Sequence, residues 1–327
     1  MITLQPKELK KEAALRLATT HGNHSKVAFV YSAVALGAGF LTLLVHFITG
    51  MMIDNTGGLG DLGTRAILES IDMIFSLAVN VLLPLWTFGM IRTALAMCRQ
   101  KRTEPRDLLR GFSRWGLYLR LCIFEGLIYF ILMYASLQAI TMLISFTPLA
   151  DGIVEAFTPY LEDPELLDAA MADPATMMGL LKAMMPVLIL WAAGLPVLLV
   201  PVSYALRLAV YRIGDEDRPG AFRAIRQSRK MMKGHKMQLF KLDLSFWWYY
   251  LIQILLALLL EVPVFLAGTV IPLSIEVLTL IAGAVQALGC LLLYQKHLLK
   301  VQTTYALFYD TLYEQHSAPP IHQVSWQ

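Results

Sequence analysis

The sequence predicts an all-α polytopic membrane protein, six transmembrane helices arranged as three hairpins. Three observations predict it. Of 327 residues, 57% are apolar and only 16% charged, and the mean hydropathy is +0.58. A soluble domain carries about a quarter of charged residues to build its polar exterior. The apolar residues are gathered into long runs, and all but Arg65 and Lys182 of the 27 Lys and Arg stand in four clusters between those runs. This pattern excludes a water-soluble enzyme, a disordered tail protein and a disulfide-built secreted domain.

About 20 apolar residues span the hydrocarbon core. The runs 27–53, 67–97, 115–147, 178–210, 244–268 and 273–295 meet that length, the last being the weakest because Glu276 stands near its start. Lipid offers no hydrogen-bond partners, so each run must be a helix, and the alternating strands of a barrel are absent. Residues 1–26 are charged and helix-like, without the apolar core and cleavage site of a signal peptide.

The basic clusters set the orientation. They fall at 1–26, 92–120, 207–241 and 296–300, and these regions are expected to be cytoplasmic. The opposite side receives 54–66, the segment 148–176 with seven acids and no base, and a turn near 270–272. Both termini are then cytoplasmic. The chain reads as one membrane domain: an amphipathic N-terminus (1–26), hairpin 1 (27–97), hairpin 2 with the acidic external insertion (98–210), a basic interfacial helix with hairpin 3 (211–297), and a cytoplasmic tail (298–327).

The connections resemble one another. Before the first, third and fifth runs stands a basic stretch, then Gly22, Gly111 or Gly234, then a few mostly polar residues. Each stretch is expected to be a short interfacial helix ended by its glycine, where the chain turns into the membrane. The segments leaving the hairpins also match loosely, Thr93-Ala-Leu, Tyr204-Ala-Leu and Tyr305-Ala-Leu. An internal repeat of this kind occurs in transport folds and in plain structural duplications.

In the third unit Pro219 starts the helix and Gly234 stops it. Phe222, Ile225 and Met232 fall on one side, and Arg223, Arg226, Arg229, Lys230 and Lys233 on the rest. Such a helix lies in the headgroup layer on anionic lipid, or offers a docking face to a membrane-protein partner. No nucleic-acid-binding module accompanies the charge, so no nucleic acid is expected.

The stretch Ser228-Arg-Lys-Met-Met-Lys-Gly-His-Lys-Met-Gln-Leu-Phe-Lys-Leu-Asp-Leu-Ser-Phe-Trp247 resembles a signature of the bacterial integral-membrane family known as domain of unknown function 975. Tyr305-Ala-Leu-Phe-Tyr309 is similar to that family's aromatic ending, and Gly22-Asn23 to its first Gly-Asn turn. The resemblance implies a multi-pass protein of a bacterial plasma membrane. It carries no catalytic residue, because the family has no established activity. The acidic stretch at 150–176 departs from the pattern.

No motif for a metal, a nucleophile or a phosphate loop is present. His21 and His24 lack a third ligand, Gly57, Gly58 and Gly60 lack the strand a nucleotide loop needs, and Cys98, Cys122 and Cys290 have no paired spacing. Neither cofactor nor metal is expected. Ionisable residues inside spans are costly and so carry weight. Glu125 lies about 16 Å along a helix from Arg114. With Arg92, Arg120, Arg207 and Asp243 it is expected to form an intramembrane polar network, either as glue between helices or as the lining of a polar path. Glu69, Asp72, Glu261 and Glu276 give the outer face a negative field, either a solvated lip or a place where cationic solutes or peptides enter. Pro84, Pro186, Pro196, Pro201 and Pro263 interrupt spans and are expected to bend them.

The expected function is therefore a non-enzymatic membrane protein that binds a partner or organises a cell-envelope complex. The alternative is a transporter or permease-like component for a lipid, peptide or other amphiphile. The identity of the partner or substrate and the oligomeric state do not follow from the residues.

Overall fold

The computed structural model describes residues 5–20, 22–55, 62–163, 166, 174–215, 219–258 and 275–317. In chain order these form α1 (Pro6–Thr19), α2 (His24–Asn55), α3 (Leu62–Cys98), a 3-10 helix η1 (Pro105–Arg114), α4 (Trp115–Ile144), α5 (Leu149–Glu162), α6 (Pro174–Leu206), α7 (Ala209–Gly214), α8 (Ala221–Met231), α9 (Lys236–Leu244), α10 (Trp247–Leu258) and α11 (Ile275–Ser317). Among the described residues the extended structure is a single parallel bridge between Gly22 and Thr103. The fold is all-α.

Among the described residues five segments are long and apolar enough to cross a membrane: His24–Ile53, Gly63–Cys98, Pro105–Ile144, Thr176–Gly214 and Val277–His316. Of the expected fifth run, residues 244–258 are described, and its helix α10 is 12 residues long. Its remainder, with Glu261 and Pro263, lies outside the described residues, as do His21, Gly57, Gly58, Gly60 and the side chain of Glu276. The acidic segment opens as the helix α5; most of residues 164–173 again lie outside. The spans keep many large apolar side chains on their outer faces, among them Phe130, Ile74 and Val197. In lipid this costs nothing, because hydrocarbon is as apolar as leucine. Helices α3 and α6 run continuously through Pro84 and through Pro186, Pro196 and Pro201.

The chain divides into two compact units. The first comprises residues 1–120 and 208–327. In it α2, α3 and α11 pack together, α1 lies on α11 and α3, η1 on α3 and α2, and α7 on α3 and α8. Burial concentrates at one end, the start of α2 and the ends of α3 and α11. Tyr31 stacks on Trp86 at 6.5 Å, and the Trp86 indole donates to the Tyr31 carbonyl at 3.1 Å. Val27, Met90, Met97, Leu108 and Leu298 close around them. Each fully buried side chain of this size contributes about 1.5–3 kcal/mol. The second unit, residues 121–207, packs α5 on α6 and ties α6 to α4 by a bond from the Trp191 indole to the Ser136 hydroxyl, 3.3 Å.

Four expectations change. The stretch 298–317, read as a tail, is the second half of α11, and Ala306, Phe308, Tyr309 and Leu312 are wholly buried there. Helix α1, read as a surface helix, buries Leu9 and Ala13 completely against protein. Gly111 is no helix-to-span turn: η1 ends at Trp115 with helical backbone and passes straight into α4. Gly111 is instead a point where two backbones touch. A Cβ there would stand 2.6 Å from the Gly89 nitrogen, and one on Gly89 would overlap the Leu108 carbonyl. Gly22 is likewise a close approach, its Cβ position 2.7 Å from the Thr103 carbonyl oxygen. Gly22 still stands in the passage from α1 into α2, and Gly234 turns the chain at φ +86° between α8 and α9. Finally, the apolar side of α8 faces protein rather than lipid. Ala221, Ala224, Ile225, Met231 and Met232 are buried, while Phe222 is exposed among the bases.

Candidate functional site

The best-organised polar constellation lies at the basic end of the first unit, and its centre is Arg99. Helix α3 stops there without a glycine. The Gln100 and Lys101 amides bond the carbonyls of Met97 (3.0 Å) and Ala96 (2.9 Å), and Gln100 takes a left-handed φ of +56°. This is the two-bond helix stop usually built on Gly. It leaves Arg99 as the last residue before the reversal, its side chain turned toward α7 and α11.

Arg99 grips two carboxylates. Nη1 and Nη2 donate to Asp215, at 2.7 and 3.2 Å, and Nη2 and Nε to Asp310, at 2.7 and 3.2 Å. The Asp215 and Asp310 side chains are 7% and 11% exposed, against 28% for Arg99. Removing such ions from water costs several kcal/mol each, so the cluster stands only because hydrogen bonds replace the water. Tyr309 donates its hydroxyl to Asp215 at 2.8 Å. Arg212 stands 3.7 Å from the same carboxylate, bonds Gln227 at 2.8 Å and lies over the Tyr313 ring at 4.8 Å. The bonds from Asp215, working against burial and joined by those from Asp310, raise the Arg99 pKa above its ordinary value. The charge on Arg99 is therefore permanent.

Beside this clamp opens a pocket of about 110 Å³. Arg92, Arg99, Lys101, Arg110 and Arg114 line it, with Asp107 the one acid among the lining residues. Arg92 bonds the Arg110 carbonyl and, at 3.0 Å, the Ser113 hydroxyl. Arg114 bonds the carbonyls of Ile213 (2.8 Å) and Asp215. Asp107 caps η1 through the Glu104 amide at 2.8 Å and pairs with Arg110 at 3.0 Å.

The residues expected to form one network are distributed among several partners. Arg92 belongs to the pocket. Asp243 accepts a hydrogen bond from the Tyr305 hydroxyl, which also meets the Tyr250 hydroxyl at 2.7 Å. Arg120 is exposed on α4. Glu125 and Arg207 are half-buried in the second unit, with Tyr129 in electrostatic reach of both. The α8 bases Arg223, Arg226, Arg229, Lys230 and Lys233 are all exposed, and Arg226 lies 5.2 Å over the Phe222 ring. Among the described residues no group of three or more His, Cys, Asp or Glu could hold a metal ion.

Sequence reasoning missed the clamp. A faint signal was present. Each of the three Ala-Leu segments is soon followed by one member, Arg99, Asp215 or Asp310.

The five long apolar spans define the class: this is a multi-pass membrane protein. The chain belongs to the DUF975 family, described as a protein of unknown function, whose model matches residues 4–316. No curated protein and no solved structure matches the chain.

Proposed function

We propose that the protein is a non-enzymatic component of a bacterial plasma membrane, with both termini cytoplasmic. It binds an acidic protein partner through the exposed face of α8 and so organises a cell-envelope complex. The orientation of α8 carries this reading. A helix that rests on lipid turns its apolar side to the acyl chains. Here that side is spent inside the protein, and the five bases surround an exposed Phe222. A basic rim around an aromatic anchor suits recognition of an acidic surface. Anionic lipids neighbour the same end, as the basic clusters imply.

The test is crosslinking from a photoreactive residue at position 222, followed by extraction in native-lipid discs and mass spectrometry. The expected result is a stoichiometric acidic partner, joined at that position and lost from an R223Q/R229Q/K230Q variant of unchanged topology. Association that survives the triple change would remove the docking face.

A second reading, a permease-like component for an amphiphile, is favoured by Glu125 and Arg207 within the spans of the second unit. Its mark is a Glu125→Gln protein that stays folded but no longer exchanges a labelled amphiphile between vesicles.

A further inference from the structure

We infer that the groove between the start of α1 and the end of α9 is a binding site for the headgroup of an anionic phospholipid. The acyl chains of that lipid follow the exposed apolar stripe that leads from α9 into α10. The site lies apart from the α8 face and rests on the membrane placement alone.

The groove, about 570 Å³, is lined by Gln5, Pro6, Lys7, Lys10, Lys241 and Ser245. That volume falls in the range of sites that take small organic groups. Three bases thus converge on it from two helices that pack on each other. Lys7 and Lys10, three apart, share a face of α1. Lys10 is fixed: its Nζ donates to the Ser245 carbonyl and lies 3.8 Å over the Phe246 ring. Burial, and then the charge on Lys300, lower its pKa, and an anion bound beside it would offset the second effect. Lys7 and Lys241 are exposed, and among the described residues neither is held by an acid. Glu8 adjoins Lys7 in sequence, but adjacent positions on a helix do not face each other. Asp243 is engaged by the Tyr305 hydroxyl, and residues 1–4 contain no acid. Lys300 stands about 15 Å along α11 from Asp310, so the Arg99 clamp and its acids are a separate constellation.

The place of the groove selects a lipid over a soluble anion. Ser245 stands between α9 and α10, where the chain enters the apolar run. Met237, Phe240, Leu244 and Trp247 are exposed there at intervals of three and four, and Leu251 and Ile254 continue the stripe along α10. In water such a stripe is a liability, whereas at the membrane edge it lies against acyl chains. Tryptophan favours that same interface, at the level of the headgroups. Leu239 and Leu242 of α9 are buried in protein, so the helix is held with its stripe outward and Lys241 beside the groove. Lysines clustered at this depth attract anionic headgroups. A soluble phosphate would use the bases and leave the stripe without a role.

The full chain is purified in neutral detergent and titrated with phosphatidylglycerol or with phosphatidylcholine of the same acyl chains, and bound lipid is counted by native mass spectrometry. Inorganic phosphate and deacylated glycerophosphoglycerol are the competitors. Lys7 and Lys241 are exposed, so K7Q/K241Q should keep the unfolding temperature of the parent, and R223Q/R229Q removes the same charge from α8. The expected result is one saturable site for phosphatidylglycerol, weakened about tenfold or more in K7Q/K241Q and within about twofold of the parent in R223Q/R229Q. If the double change lowers the unfolding temperature, K7Q and K241Q are titrated singly, and each should weaken binding about threefold or more. Neither soluble competitor should displace the lipid. Equal retention of the two lipids, equal weakening in both double variants, or displacement by a soluble competitor overturns the inference. The outcome is independent of crosslinking at position 222, since no α8 residue lines the groove.

Discussion

The guanidinium of Arg99 holds the carboxylate of Asp310, 211 positions further along the chain, at 2.7 Å. This contact joins the end of α3 to the last turns of α11, and Asp215 closes it from the third side. Arg99→Gln would take the charged partner from Asp310 and leave Asp215 only Arg212 at 3.7 Å, and should cost about 3–5 kcal/mol. Arg99→Lys keeps the charge but loses the planar fork, so it should recover only part of that. Chemical unfolding in detergent measures both, with Arg223→Gln as an exposed reference within about 0.5 kcal/mol of the parent.

The same clamp predicts a flat pH response from its basic partner. The pKa of Arg99 is raised in the folded protein, so the stability it supplies is complete below its unfolded value and is lost only as pH rises through the higher folded one. Between about pH 6 and 10 the difference in stability between the parent and Arg99→Gln should therefore owe no slope to this group. A steep alkaline loss confined to the parent would contradict that.

Gly89 and Gly111 let η1 lie backbone to backbone on α3. Gly89→Ala or Gly111→Ala must push the two apart and should cost about 1–3 kcal/mol or more. Gly116, the second residue of α4, has open space around its Cβ position, and Gly116→Ala should be neutral or slightly stabilising. Thermal unfolding of the three variants side by side decides it.

Gln100 occupies a left-handed position that glycine fills at little cost. Gln100→Gly gives up an exposed bond to Thr19 at 3.2 Å and relieves the backbone. A net gain of about 0.5–1 kcal/mol is expected. A loss would mean that the Thr19 contact outweighs the strain.

The proposed orientation is checked by labelling. In a cysteine-free background, Arg65→Cys should react with an impermeant thiol reagent in intact cells and Lys233→Cys should not. The reverse result would invert the topology and place the α8 face outside.

Five of the six expected spans were legible because a long apolar run has few other uses. The second half of α11 was not. Thr303, Thr304, Asp310 and Thr311 are buried, and polar residues in series look like a tail. Thr304 and Thr311 are satisfied locally, donating to the carbonyls four residues back at 2.6 and 2.8 Å. The clamp was hidden for a different reason. Counting Lys and Arg reveals which end of a span they favour, but not that Arg99 faces two acids far away in the chain. Gly111 was misread because a helix stop and a close backbone contact ask for the same residue. The pattern set the five α8 bases against an apolar side of Phe222, Ile225 and Met232; Phe222 is instead exposed with the bases, because the destination of the apolar side depended on α7 and α11, which the local pattern does not contain.

The separation of Arg99 from Asp310 also has a meaning for biosynthesis. At about 5–20 residues per second, the acid emerges roughly 10–40 s after the base. Throughout that interval the end of α3 carries a charge whose final neutralisation has not been made, and the earlier spans must already be lodged in the bilayer. The last turns of α11 thus complete the clamp last. A chain cut short before residue 310 should keep Arg99 on Asp215 alone and leave it more hydrated than in the full chain.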